Sequence, residues 1–378
     1  MPIYKIAGRK DGQQKYKVRV NYIDNTGRSK QTDRIAYGME NAKMLEAKLL
    51  SEFKETAPDD RITVKQLYDE YTNAKKIEVR ETTLNKTKQI LSNHVLPMFK
   101  SNRLKTLTLQ SLQKWKLYIE GKKLSATTKK NIFGEFRAML NYAVKFGYIS
   151  SNPLSKLGNF KNAYEGKKTI NYYTSDEFLK FISASKDHIE KTMNDYEWNY
   201  YVFFCIAFYT GMRKGEINAL KWTDVDNGYI HVSRSIAQKL SGDDRETPPK
   251  NKSSIRTLQI PKPLQNTLDE HRAHYEAIEN FCDDWRICGG PQCLRDTTID
   301  KYNELYAKLA GIKKIRIHDF RHSHASLLAN EGINIQEIAR RLGHSKIEIT
   351  WNTYSHLYPR EEERAVNILN KISLNQAK

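Results

Sequence analysis

The chain has 378 residues, with 63 Lys+Arg against 44 Asp+Glu, a formal net charge of +19 and a sequence pI near 9.5. That length exceeds one ordinary domain and suffices for two or three, each with its own core. No apolar run approaches the roughly 20 residues needed to span a bilayer, and Cys205, Cys282, Cys288 and Cys293 are too few and too uneven for a disulfide scaffold. The spacing C-x5-C-x4-C of the last three matches no common zinc knuckle, so no metal site is expected. The positive charge implies a polyanionic partner and is concentrated: residues 61–170 hold 22 Lys+Arg against 7 Asp+Glu, whereas residues 1–60 are net +3 and residues 171–378 net +1. A merely solubilising surface would mix in more acids, so the middle segment reads as a nucleic-acid surface. The N-terminus, MPIYKIAGRK, lacks the apolar region of a signal peptide, which predicts a cytoplasmic protein with no membrane partner.

Residues 1–37 alternate apolar and polar groups, with Tyr16, Val18 and Val20 on one face, a turn at Asp24-Asn25-Thr26-Gly27 and a second run to Ile35. Leu45, Leu49 and Phe53 then recur at helical spacing after Asn41. This predicts a three-stranded sheet backed by one helix over residues 1–58, ended by Ala57-Pro58-Asp59-Asp60. From Ile62 the period becomes 3.6, predicting helices at 63–76, 82–96, 108–121 and 126–147, with Thr63, Thr108 and Ser125 as N-caps and Gly121 and Gly147 as stops. Such a bundle, residues 61–152, can bury Leu67, Tyr71, Leu84, Ile90, Leu112, Trp115, Phe133, Phe136 and Leu140. Its outer faces carry Lys86 with Lys88, Lys114 with Lys116, Lys122 with Lys123, and Lys129 with Lys130. Lysines in such number suit phosphate contacts that position a duplex without reading its sequence.

Residues 153–173 are polar, basic and aperiodic, and read as a linker. Thr174-Ser175-Asp176-Glu177 opens the helix of a separate domain, residues 174–378, with acids in the first turn as the helix dipole favours. The expected order is helix 175–185, buried helix 195–209, strands 229–237 and 255–260 around a polar loop, and helices 263–280 and 297–310. The stretch from Ile317 to Leu357 follows, and Val366, Ile368, Leu369 and Ile372 then mark a short amphipathic tail helix.

Arg213, two residues past Gly211 at the end of the buried helix, must meet either an anionic ligand or an internal partner such as Glu216. Lys250, Lys252 and Arg256 flank a hairpin tip, where cations commonly serve solubility. His318 and Arg321, one helical turn apart, share a face; Asp319 suits a cap, and His322 and His324 are expected to point elsewhere as packing or surface residues. Gly343-His344 ends a further helix, and Tyr354 lies in a helical segment with Ile347, Ile349 and Trp351 as apolar neighbours.

In this order, TGMRKGEI, PKNKSSIRTLQIP, HDFRHSHAS and LGHS ending in NTYSHL resemble the tyrosine recombinase (phage-type integrase) family, over about Ser175 to Leu357. Residues 1–60 also resemble the arm-type DNA-binding domain of such integrases, and residues 61–150 their helical core-binding domain. The resemblance implies a mainly α multidomain protein with small β elements and a mixed α+β catalytic domain. It implies Arg213 and Arg321 as phosphate-clamping arginines, Lys250 as the hairpin lysine with Lys252 as the alternative general acid, His318 as candidate base, His344 on the phosphate and Tyr354 as nucleophile. Strand exchange would pass through a 3′-phosphotyrosine without cofactor or metal, on double-stranded attachment sites held by a homo-tetramer. The tail helix would dock on a neighbouring subunit, and DNA-bending and excision-directionality proteins would be accessory partners. Two alternatives share parts of the pattern. GINIQEIARRLGHSKIEITWNTY alone also resembles the helix-turn-helix of a non-enzymatic regulator, and type IB topoisomerases share the tyrosine chemistry without the N-terminal sheet.

Overall fold

The computed structural model describes residues 3–23, 29–55, 61–161, 171–237, 245–248, 252–358, 366–367 and 369–370. The chain divides into two compact units, Met1–Gly166 and Lys167–Lys378. Among the described residues no helix is long and apolar enough to cross a membrane.

The first unit opens with an antiparallel sheet of β1 (Ile3–Lys10), β2 (Gln13–Ile23) and β3 (Ser29–Tyr37), in that order. Asp11 and Gly12 both take positive φ between β1 and β2, the backbone of a two-residue hairpin whose twist matches its strands. Val18 and Val20 face inward with Ala36, against Ala42 and Leu49 of α1 (Met39–Glu55). Ile35 faces outward, because the buried phase of β3 falls on Ala36 instead.

A second core in the same unit is built by α2 (Val64–Glu78), α3 (Glu81–His94), the short α4 (Leu96–Phe99), α5 (Leu109–Glu120) and α6 (Ala126–Lys145). Thr63, Thr108 and Ser125 are the N-caps of α2, α5 and α6, each side chain accepting a backbone N–H three residues on. Trp115 is fully buried between Phe133 and Phe136 and donates its indole N–H to the His94 carbonyl at 2.7 Å.

Three helices of this bundle meet in one polar network. The Lys75 ammonium donates to Tyr71 Oη (2.9 Å), Thr87 Oγ1 (3.1 Å) and Glu135 Oε2 (3.0 Å). Removing one member strands the opposite charge, whereas replacing both ends by apolar groups does not. Glu135→Ala is therefore expected to cost about 2 kcal/mol, and the double change Lys75→Met with Glu135→Leu distinctly less, as read from urea unfolding.

The second unit is organised around α8 (Trp198–Thr210), which follows α7 (Ser175–Thr192); twelve of its residues are buried, so packing surrounds it on every side. Thr174 caps α7 in a reciprocal capping box with Glu177. Asp195–Glu197, expected in the buried helix, instead form a separate 3-10 turn. After α8 come α9 (Lys214–Ala219) and a sheet of β4 (Val225–Asp226), β5 (Tyr229–Val232) and β8 (Arg256–Gln259). The strand expected over 229–237 is broken: β6 (Ser235–Ala237) leaves that sheet to pair with β7 (Arg245–Thr247). Helices α10 (Lys262–Glu276), α11 (Asp296–Leu309), α12 (Ile317–Asn330), α13 (Ile335–Leu342) and α14 (Ile347–Tyr354) complete the unit. Phe181, Phe204, Tyr306 and Phe320 meet edge to face at the centre of its core. Of the expected tail helix, Val366 and Leu369 lie in helical backbone and are exposed, while Ile368 and Ile372 fall outside the described residues.

Candidate active site

Every described residue of the candidate site belongs to the second unit, where two helix C-termini converge. Helix α8 ends at Gly211 and α13 at Gly343, both in left-handed conformation. A Cβ at Gly211 would lie 2.8 Å from the His324 ring and 2.9 Å from Leu342, so the close approach of the two helix ends requires glycine there. Between them the buried Arg321 guanidinium donates to the Gly211 carbonyl (2.8 Å) and the Leu342 carbonyl (2.6 Å). The negative ends of two helix dipoles thus hold a cation that has little access to water.

Arg213, at the N-cap of α9, is half-buried; it pairs with Glu216 at 2.7 Å and reaches the Gly343 carbonyl at 3.4 Å. The internal partner foreseen for Arg213 is therefore real, and it is shared. Glu216 is itself buried, and its second oxygen accepts from Arg256 at 2.9 Å. Burial works to raise the Glu216 pKa, but Arg256 and Arg213 outweigh it and hold the carboxyl below its ordinary value. Arg256 is a correction to the expected surface loop: it is buried, donating to the Arg341 carbonyl (2.6 Å) and the Ser254 carbonyl (3.1 Å). Strand alternation contains the signal, since Arg256 shares a face with the fully buried Leu258.

The histidines respond to this surplus of cations. Burial, then His322, Arg321 and Arg213, push the pKa of His318 down to about 4, against Asp319. Burial, then Arg321, Arg213 and Arg256, push His344 to about 4 as well. The His344 Nδ1 meets the Thr350 hydroxyl at 2.8 Å, which leaves Nε2 as its other ring nitrogen. Asp319 caps α12 and takes a two-pronged pair from Arg316, as its position suggested.

Tyr354 is buried at the end of α14, and burial raises its phenol pKa well above the ordinary value, with Arg321 opposing. Its apolar surroundings are Ala325, Ala329, Ile338 and Leu342. Ile347, Ile349 and Trp351, its apolar neighbours along the chain, are themselves exposed. His322, expected to point elsewhere, is the correction of most consequence: its Nδ1 meets the Tyr354 hydroxyl at 2.5 Å. The spacing held this signal too, since His318 and His322 are one turn apart, and their rings meet edge to face at 5.1 Å. His324 does pack inward, on the Phe208 carbonyl at 2.9 Å. Lys250 lies outside the described residues, and Lys252 begins a 3-10 turn, Lys252–Ser254, just before β8.

The lysines of the helical bundle divide. Lys116 turns inward to the Leu157 and Gly158 carbonyls (3.2 and 3.1 Å), and Lys129 donates to the Glu120 carbonyl at 2.6 Å. Lys86, Lys114 and Lys123 are exposed, while Lys88, Lys122 and Lys130 are half-buried. Two of the lysines expected on a DNA surface are thus engaged within the fold.

A mainly helical domain that gathers two arginines, two histidines and a tyrosine at converging helix ends, in a chain that begins with a three-stranded sheet, has the architecture of the tyrosine recombinases. The Phage integrase family model matches residues 171–361, and the model named phage integrase, N-terminal SAM-like domain, matches residues 63–117. The chain belongs to the phage integrase family. It is similar to the ICEBs1 integrase of Bacillus subtilis (26% identity, covering 96% of this chain and 98% of that one). It is also similar to a XerC-like tyrosine recombinase of Caldanaerobacter subterraneus (32% identity, 75% of each). Among solved structures, a Tn1549 transposon integrase in complex with a circular intermediate DNA shares its fold at a TM-score of 0.64 (20% identity, 82% of this chain and 99% of that one). A lambda integrase tetramer bound to a Holliday junction does so at 0.56 (18% identity, 96% and 97%). The protein is accordingly an enzyme of site-specific DNA recombination, an integrase of the mobile-element kind. The helix-turn-helix alternative fails on the structure as well: its turn at Gly343 is packed against Arg256 and within reach of Arg213, so it is part of the pocket.

His324 and His271 are buried and have pKa values pushed down by burial to about 3 and about 4. Above pH 6.5 the folded and unfolded chains both hold them neutral; as pH falls, the unfolded chain binds the protons first, so stability is lost toward acid. Each is expected to remove about 1.4 kcal/mol per pH unit between pH 6 and 4. Urea unfolding followed by tryptophan fluorescence at pH 7, 6 and 5 measures this, and a flat profile contradicts neutral burial.

Proposed function

We propose that the second unit carries out in-line transesterification at a DNA phosphodiester. Arg213 and Arg321 contact the non-bridging oxygens, with His318 and His344 beside them, Tyr354 is the nucleophile, and Lys250 is the general acid, Lys252 being the alternative. The observation that carries this reading is the charge balance of the pocket. Arg213 and Arg256 share the carboxylate of Glu216, Arg321 beside them donates to two backbone carbonyls, and burial and the neighbouring cations hold both histidines neutral. A phosphate supplies the missing anion. Charge on its oxygens grows during attack, where fork-shaped guanidiniums fixed in a water-poor site are most effective.

The phenolate formed at Tyr354 attacks phosphorus, the bond to the 5′ oxygen breaks, and the hairpin lysine protonates that oxygen. A 3′-phosphotyrosine results, and because the ester is conserved another strand's 5′-hydroxyl reverses the step. The sheet domain, residues 1–58, acts as an arm-type DNA-binding domain, and the bundle, residues 61–152, as a core-binding domain; the expected linker 153–173 is shorter than its composition suggested, since Leu154 and Phe160 are buried in the bundle core and Tyr173 in the core of the second unit. The SAM-like match at 63–117 supports the latter assignment. Exposed Lys86 and Lys114, with Lys88, Lys122 and Lys130, contact phosphates there. Four copies assemble on paired attachment sites in the bacterial cytoplasm at the nucleoid, with the tail helix docked on a neighbour. DNA-bending and directionality proteins assist. The near full-length similarity to the ICEBs1 integrase favours an integrative element over a phage.

Tyr354→Phe is expected to keep wild-type DNA affinity and to form no covalent complex on a nicked attachment-site duplex, as judged by denaturing gel; trapping by that variant would remove Tyr354 from the scheme. On a duplex with a 5′-thio leaving group, which needs no general acid, Lys250→Ala is expected to recover most of an approximately 100-fold loss, and Lys252→Ala to show little to recover. Rescue of Lys252→Ala alone reverses the assignment.

A further inference from the structure

The Tyr354 hydroxyl is not paired with the histidine that the motif singles out. Its partner is His322, four residues along α12 from His318 and packed under the end of α14. We infer that His322 accepts the phenol proton when Tyr354 attacks and returns it when the tyrosine leaves, an inference that rests on Tyr354 being the nucleophile.

The geometry carries this. The 2.5 Å contact is within the range of a strong O–H···N hydrogen bond and needs no rearrangement before transfer. The two rings lie 5.7 Å apart at 55°, and the His322 ring in turn meets that of His318 at 5.1 Å, so the base is fixed between its donor and a second imidazole. Among the described residues, the groups facing His322 are Asp319, Arg316, Arg321 and His318 on α12 and its N-cap, and Tyr354 on α14. Burial lowers the pKa of His322, with Arg316 and Arg321 acting in the same direction and Asp319 against them, so the ring is neutral at neutral pH; in the tautomer that carries its proton on Nε2, Nδ1 accepts from the Tyr354 hydroxyl.

The proton balance closes within the protein. In the forward step the Tyr354 O–H bond breaks, its proton moves to His322 Nδ1, the phenolate oxygen bonds to phosphorus, and the 5′ oxygen leaves with a proton from the hairpin lysine. In the return step the incoming 5′-hydroxyl gives its proton to the lysine, and the departing phenolate recovers its own from His322. His318 is thereby left to the phosphate oxygens.

The test uses the full chain and a nicked duplex carrying the DNA sequence that the purified enzyme is found to cleave, with covalent complex formation followed from pH 5 to 9. His322→Gln keeps a hydrogen-bond acceptor but cannot take a proton, and His322→Ala opens space for added imidazole. For His322→Gln the expected result is a rate about 100-fold lower at pH 7 with loss of the acidic limb of the pH profile. For His322→Ala it is partial rescue by imidazole. A His322→Gln enzyme that cleaves at the wild-type rate overturns the inference. So does one slowed equally at every pH with the limb intact, which marks a packing role, or a limb that disappears in His318→Gln instead. The Tyr354→Phe control separates the two levels: an adduct formed by that variant defeats the nucleophile assignment itself, whereas failures confined to His322 leave it standing.

Discussion

Arg321 is held between the carbonyl ends of two helices that are distant in the sequence, and the rest of the site depends on that arrangement. A buried guanidinium without acceptors would be costly. Here the Gly211 and Leu342 carbonyls, left unpaired by the ends of α8 and α13, become its partners, so each helix end satisfies the other's need. The two left-handed glycines belong to the same arrangement: the chain turns sharply at both places, and a Cβ would meet the His324 ring and Leu342 at Gly211, and Arg256 and the Ser253 carbonyl at Gly343. Arg213 and His344, each within two residues of one of these glycines, are thereby carried to the same point.

The electrostatics follow from how few anions enter that point. Glu216 binds Arg213 and Arg256 and orients both, yet it cannot neutralise three arginines. Burial first, and the neighbouring cations after it, depress the pKa values to about 4 at His318 and His344 and to about 9 at Arg321, which is still a cation at neutral pH. His318 and His344 are therefore neutral at neutral pH, and burial keeps Tyr354 protonated.

Much of this was legible in the sequence. Periodicity located the sheet with its helix, the bundle and its three N-caps, and the buried α8, because each depends on near neighbours in the chain. Four motifs in order marked the family, and Arg213, Arg321, His344 and Tyr354 all fall at the converging helix ends or beside them. The errors share a cause. His322, Arg256, Lys116 and Lys129 were assigned to surfaces or packing by residue type and local context, while their partners are 9 to 85 residues away.

By itself, then, the sequence determined the N-terminal sheet and most of the helices, the concentration of charge in residues 61–170 and the motifs that mark the family. These are properties of short windows and of composition, and they survive without knowledge of the fold. Only the tertiary structure decided which oxygen each arginine meets, that Glu216 is shared, and that His322 rather than His318 touches the Tyr354 hydroxyl. Those pairings are fixed by where two helix ends and a strand come together, and no short window of the chain contains that information.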